Sequence, residues 1–177
     1  MVAPLDVAEA PERRLLRCLS EHAAPLARLV ASYARSAADR QDLQQDVAMA
    51  LFAALPRFRG ECAERTFVLR VAHNRALAFL AKRGVPLADV VDHEDAAVAT
   101  TGKNPAMAFE RGERERRLLA AVRALPLAHR QVVMLLLEGL AHREIAEVLG
   151  TTENNVAVRA NRARAALRVL LDATGGA

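Results

Sequence analysis

Leu140-Ala-His-Arg-Glu-Ile-Ala-Glu-Val-Leu-Gly150, continued by Thr151-Thr-Glu-Asn-Asn155-Val-Ala-Val-Arg-Ala160-Asn-Arg-Ala-Arg-Ala-Ala-Leu167, decides the fold. Ile145, Ala146 and Leu149 give a short helix one apolar face, and Gly150 stops it. Thr151-Thr152 then offers a hydroxyl oxygen to cap a new helix near Glu153. In that helix Val156, Ala160, Ala163, Leu167 and Leu170 form one apolar stripe. A short helix, a glycine turn and a capped long helix make the helix-turn-helix pattern. Asn155, Arg159 and Arg162 fall on one flank of the stripe, Arg164 and Arg168 on the other. No acid interrupts them between Glu153 and Asp172. A solvated basic helix is the ordinary origin of such a face. With the capped turn in front, the pattern instead fits arginines on phosphates and amides at base edges, with Asn154 joining Asn155 in the first turn.

Upstream, Leu118–Leu125 is closed by Pro126, and a second apolar helix from Arg130 to Leu137 ends at Glu138-Gly139, a glycine C-cap. Farther out the charge divides the chain of 177 residues. Residues 1–83 carry net +4, residues 84–112 net −3 and residues 113–177 net +3. The segment 84–112 holds Gly84, Pro86, Gly102 and Pro105 with the acidic patch Asp89–Asp95, the composition of a tether. Residues 1–12, with Pro4 and Pro11 and no sustained period, read as a disordered leader. The reading is all-α: two small helical domains, 13–83 and 113–173, joined by a flexible linker over 84–112. In the first, helical periodicity breaks at Pro25, near Ser36–Gln41 and at Pro56–Ala63.

Composition removes several classes. The longest apolar run, Val47–Leu55, is nine residues, and a membrane-spanning helix needs roughly 20. The start lacks a basic segment leading into an apolar one, so no signal peptide is expected. Cys18 and Cys62 are too few for a disulfide framework or a four-cysteine zinc site. Arginine dominates the bases, 23 against two lysines (Lys82 and Lys103), and its forked donor set suits phosphate, base-edge and carboxylate recognition.

In the first half, Asp42, Gln45, Asp46 and Met49 share one helix face, with Leu43, Val47, Ala50, Leu51 and Ala54 roughly opposite. An acidic, amide-bearing stripe beside a buried one suits a basic partner. A helix from Thr66 to Lys82 follows, with Arg70, His73, Asn74 and Leu77 on one face and Val68, Val71, Ala72 and Phe79 on another.

Two stretches carry a family resemblance. Leu140–Gly150 with Asn155–Leu167, preceded by Ala124-Leu-Pro126 and Arg130-Gln-Val-Val, resembles region 4 of extracytoplasmic-function (ECF) sigma factors of the sigma-70 family. Asp42-Leu-Gln-Gln-Asp46 through Gly60, with Arg65-Thr-Phe67 and Val71-Ala-His-Asn74, resembles their region 2. The resemblance implies an RNA polymerase sigma factor that binds core polymerase and directs promoter recognition, DNA melting and initiation at a specific regulon. Region 2 would be a helical bundle whose Asp42, Gln45, Asp46 and Met49 dock on the clamp helices of the largest subunit. Arg59, Arg65, Arg70, His73 and Asn74 would bind the −10 element, Asn74 meeting a flipped base. Region 4 would bind the −35 element through Asn154, Asn155, Arg159, Arg162 and Arg164, and contact the polymerase flap. The resemblance further implies an anti-sigma partner, no membrane insertion and a cytoplasmic, bacterial setting on the nucleoid when polymerase-bound.

The chain departs from the family at named positions. Phe67 stands where Trp is common and reads as core packing, and Ala157 and Val158 replace basic and hydroxyl residues. Ala141 replaces a capping Ser, a loss of about 1 kcal/mol. A stand-alone helix-turn-helix regulator is the alternative, and it has no use for the Asp42/Gln45/Asp46 face. No catalysis, cofactor or metal is expected. Asp92-His93-Glu94-Asp95 are too adjacent to converge on an ion without a second anchor. His129 and His142 read as surface or capping residues, Cys62 as packing, and Ser20, Ser32 and Ser36 lack a nucleophile setting.

Overall fold

Pro11 begins the first helix at a position where a missing N–H costs nothing, so α1 (Pro11–Glu21) takes in the last two residues of the expected leader. The computed structural model describes residues 10–84, 114 and 116–175. Residues 1–9 of the leader, nearly all of the linker and the Asp89–Asp95 patch lie outside the described residues. The chain turns at His22, ahead of the break expected at Pro25. The His22 N–H still reaches the Cys18 carbonyl at 3.0 Å. Pro25 then sits inside the first turn of α2 (Ala23–Tyr33), where its ring meets no helical carbonyl.

Ser36 caps α3 (Ala37–Ala54): its Oγ accepts from the Asp39 N–H at 3.1 Å. Asp39 in turn accepts from the Arg35 N–H at 3.2 Å. A 3-10 turn over Leu55–Arg57, holding Pro56, and a loop lead to α4 (Glu64–Lys82). Leu43, Val47, Leu51 and Leu55 share a core with Val68, Leu69, Ala72, Ala76 and Leu80, and α3 and α4 are the most closely associated helices. Downstream come α5 (residues 116–123), α6 (Leu127–Leu137), α7 (His142–Leu149) and α8 (Glu153–Gly175). The sixth starts three residues earlier than its apolar pattern suggested, directly after Pro126. Gly139 and Gly150 close α6 and α7 with φ of +76° and +62°, values natural to glycine. Among the described residues there is no strand, and no helix is long and apolar enough to cross a membrane.

The two halves are not separate beads. Leu127, Val132, Leu135, Leu140, Ile145 and Val156 belong to the same core cluster as Leu29, Leu43 and Leu69. A smaller cluster of Val122, Leu125, Val133, Met134 and Ala163 completes the C-terminal half. Beside this shared core the seam between the halves has a polar layer, part of it built on the end of α2. The last carbonyls of a helix have no partner within it. Here Arg123 Nε donates to the Ala31 carbonyl at 2.8 Å, and the buried Arg130 donates from Nη1 to Ser32 at 3.2 Å and from Nη2 to Leu125 at 3.1 Å. Glu138, 1 % exposed, accepts from Arg28 Nε and Nη2 at 2.7 and 2.8 Å, and from Arg65 Nη2 at 3.3 Å. Thr66 Oγ1 donates to Glu144 Oε1 at 2.7 Å. Buried side chains thus bridge stretches of chain that the sequence had assigned to separate modules.

Candidate nucleic-acid interface

Helix α3 turns Leu43, Val47 and Leu51 inward. That places Asp42, Gln45 and Met49 on its exposed side, with Asp46 half-buried beside them. The two acids are already partnered. Arg83 Nη2 lies 3.1 Å from Asp42 Oδ2 and Arg75 Nη2 lies 3.1 Å from Asp46 Oδ2. Arg83 also pairs with Asp39 and rests over the Phe79 ring, 4.5 Å from its centroid. Exposed ion pairs of this kind contribute little, so the carboxylates stay free to change partner. Phe52, one turn beyond Met49, extends the face with an exposed ring. Its spacing from Gln45 and Met49 was the available signal, and the sequence reading did not single it out.

On α4, Arg70 and Asn74 are one turn apart and share a face, Asn74 exposed and Arg70 half-buried. Phe67 is half-buried and packs against the core, and it also stacks on Phe58, centroids 4.5 Å apart and planes at 26°. Arg70 covers Phe67 at 5.6 Å and Arg14 covers Phe58 at 5.8 Å, two cation–π contacts that flank the stack. The loop before α4 exposes Arg59. Arg65 is exposed too, yet one of its nitrogens is tied to Glu138.

His73 does not belong to this surface. It is 2 % exposed, and its Nδ1 lies 3.0 Å from the Tyr33 hydroxyl. Burial pushes its pKa down to about 4, and burial likewise raises that of Tyr33. The neutral ring and the tyrosine hydroxyl share this hydrogen bond. The expectation of a DNA contact here is therefore corrected, because α2 covers this side of α4. Because the folded pKa is depressed, only the unfolded chain takes up the proton between about pH 6.5 and 4, and stability falls across that window. By about pH 5.5 the loss is on the order of 1 kcal/mol. Urea midpoints compared at neutral and mildly acidic pH should show it, and His73→Gln should flatten that component.

In the C-terminal half, Thr152 Oγ1 accepts from the Asn155 N–H at 3.2 Å. This N-cap fixes the first turn of α8 so that Asn154 and Asn155 are exposed while Val156 is buried. Arg162 and Arg164 are exposed and Arg159 half-buried. Arg164 Nη1 donates to Asn161 Oδ1 at 3.2 Å. Burial and the nearby Arg162 and Arg159 hold His129 of α6 below the usual imidazole range. At Ala141 the missing capping hydroxyl leaves half of a capping box, since Glu144 Oε2 still accepts the Ala141 N–H at 2.8 Å. That bond, then the one from Thr66, holds the Glu144 carboxyl below its ordinary pKa.

These features define a class: a helical DNA-binding protein with a second, acidic face suited to a protein partner. Comparison with known proteins gives the family. Residues 18–85 match Sigma-70 region 2 and residues 115–167 match Sigma-70, region 4. The chain is 30 % identical over 148 residues to the RNA polymerase sigma-H factor of Pseudomonas aeruginosa, covering 78 % of this chain and 76 % of that protein. It is 28 % identical over 159 residues to the RNA polymerase sigma factor NccH of Alcaligenes xylosoxydans xylosoxydans, covering 88 % and 86 %. The fold is shared with the sigma factor RpoE, co-crystallised with the anti-sigma factor NepR from Bartonella quintana, at TM-score 0.69 and 21 % identity over 91 % of this chain and 96 % of that one. It is shared as well with CnrH in complex with the cytosolic domain of CnrY, at TM-score 0.64 and 24 % identity over 92 % and 90 %. The chain belongs to the ECF group of the sigma-70 family and is an RNA polymerase sigma factor that directs promoter-specific transcription. It binds core RNA polymerase and promoter DNA, and sigma factors are in general not catalysts.

Proposed function

We propose that the three surfaces divide the work of initiation. The α3 face of Asp42, Gln45, Asp46 and Met49, extended by Phe52, docks on the clamp helices of the polymerase. Arg59, Arg65, Arg70 and Asn74 engage the −10 element, with the Phe58–Phe67 stack as an apolar neighbour for unstacked bases. Asn154, Asn155, Arg159, Arg162 and Arg164 engage the −35 element, while residues 113–173 also meet the flap. Residues 13–83 act as region 2, residues 84–112 as the tether, and the setting is the bacterial cytoplasm. The observation that carries this reading is the exposed amide of Asn74, one turn from the guanidinium that covers Phe67. Both solved relatives are held by a second protein, one of them an anti-sigma factor, and a partner of that class fits this chain.

Transcription in vitro from a genomic promoter library tests the whole reading. Core polymerase plus this chain should yield a restricted transcript set, and the chain alone or core alone should not. Within that assay Asn74→Ala should lower open-complex formation about tenfold, the worth of one good base contact, and leave core binding intact. Equal loss in both steps would remove Asn74 from the base-reading role.

A further inference from the structure

Outside the residues of these surfaces stands one further group of side chains. Cys18 and His22 stand one turn apart at the end of α1, and Glu64 opens α4. One donor atom from each lies within 4.8 Å of the other two. Cys18 is fully buried, while the His22 and Glu64 side chains are 14 % and 26 % exposed, which leaves a route from solvent. His22 Nε2 lies 3.9 Å from Glu64 Oε1, and it is buried without a hydrogen-bond partner. Buried ring nitrogens ordinarily find one.

We infer that Cys18, His22 and Glu64 form a binding site for a divalent cation of the zinc class, which staples α1 to the first turn of α4. A thiolate sulfur, an imidazole nitrogen and a carboxylate oxygen are the donors zinc prefers, and three protein ligands leave its fourth position to water. Zinc bond lengths in a tetrahedron put such donors about 3.4–3.6 Å apart. The histidine–glutamate pair therefore has to close by about half an ångström, within the reach of side-chain rotation. Charge also balances: thiolate and carboxylate cancel the cation, and the thiol proton leaves to solvent. The orphaned nitrogen of His22 gains its partner. Arg17 is the competitor for the carboxylate, with Nη1 and Nη2 at 3.2 and 3.3 Å from Glu64. It has a second acid at hand, Glu21 Oε2 at 3.0 Å, and can keep that one when the cation takes Glu64. Glu64 lies 42 residues beyond His22 in sequence, so no spacing motif announces the set. Because Glu64 directly precedes Arg65 and starts the helix of Arg70 and Asn74, occupancy would set the position of the −10 face.

The full chain, stripped with chelator and titrated with Co²⁺ alone, tests the site. The expected result is a thiolate-to-cobalt charge-transfer band with visible bands of four-coordinate intensity, saturating at one equivalent and erased by Zn²⁺. Cys18→Ser should lose the charge-transfer band, and Cys62→Ser should keep it. Since Cys18 is fully buried, His22→Gln at the helix end serves as the second variant. It should fold by circular dichroism and bind Co²⁺ at least about 10–100-fold more weakly, the loss usual for even an outer-shell change. No thiolate band in the unaltered chain, a band that persists without Cys18 or disappears without Cys62, or unchanged affinity in His22→Gln would overturn the assignment.

Discussion

Asp42→Arg combined with Asp46→Arg should abolish binding to core RNA polymerase while leaving the fold intact. Both acids lie outside the core, Asp42 largely exposed, and each touches one arginine, Arg83 or Arg75. Reversal replaces two ion pairs by two like-charge contacts, so four guanidiniums crowd one helix face. For the fold this is a surface change, and exposed pairs contribute only about 0–1 kcal/mol each. For a docking face the same change is far larger. Removing one partner of a desolvated charge pair at an interface costs about 2–5 kcal/mol. Two reversals on one face therefore exceed about 4 kcal/mol, or about a thousandfold in affinity. Pull-down with core enzyme should read zero where the unaltered chain reads full occupancy, and thermal unfolding should hardly move. Retained polymerase binding would show that another surface docks. A milder Asp42→Asn should fall between, because Met49 and Phe52 keep their apolar contact area.

The helix-turn-helix was legible because everything that builds it is local. Gly150, Thr152 and the spacing of Ile145, Val156 and Ala160 fall within one short stretch, residues 145–160, and each is found in the role its residue type suggests. His73 was misplaced for the opposite reason. Helical period puts it near Arg70 and Asn74, but the edge of the buried face is set by Tyr33 of another helix, 40 residues earlier. A period cannot say how wide the covered side is. Phe67 was legible only in part: it packs against the core as an aromatic in an apolar run should, but its stack with Phe58 depends on where the preceding loop returns. The seam was invisible throughout. Glu138 looked like the end of a helix, whereas its partners are 110 and 73 residues upstream. Charge counted by segment hides such pairs, since an acid and a base that meet across two modules appear as the surplus of each.

That seam sets up an asymmetric result. Replacing Arg28 with Met should destabilise the contact between the halves more than replacing Glu138 with Gln. The carboxylate is the buried partner, 1 % exposed, while the Arg28 and Arg65 side chains are 35 % and 45 % exposed. Without Arg28, Glu138 retains in this seam the single bond to Arg65 at 3.3 Å, and its charge stays out of water. Leaving a buried charge so poorly matched costs about 3 kcal/mol. Glu138→Gln removes the buried charge itself, and the two arginines can turn to solvent, so about 1 kcal/mol is expected. Arg65→Met should resemble the glutamine variant, because Arg28 keeps both carboxylate oxygens. Thermal unfolding gives the stability order, and hydrogen exchange at the end of α2 and at residues 135–140 localises the change. A glutamine variant as damaging as Arg28→Met would mean that the pair contributes through attraction rather than through shielding a buried charge. The expected order matters for function as well. Arg65 belongs to the proposed −10 set and is held by Glu138, so of these three variants only Glu138→Gln frees its guanidinium for DNA.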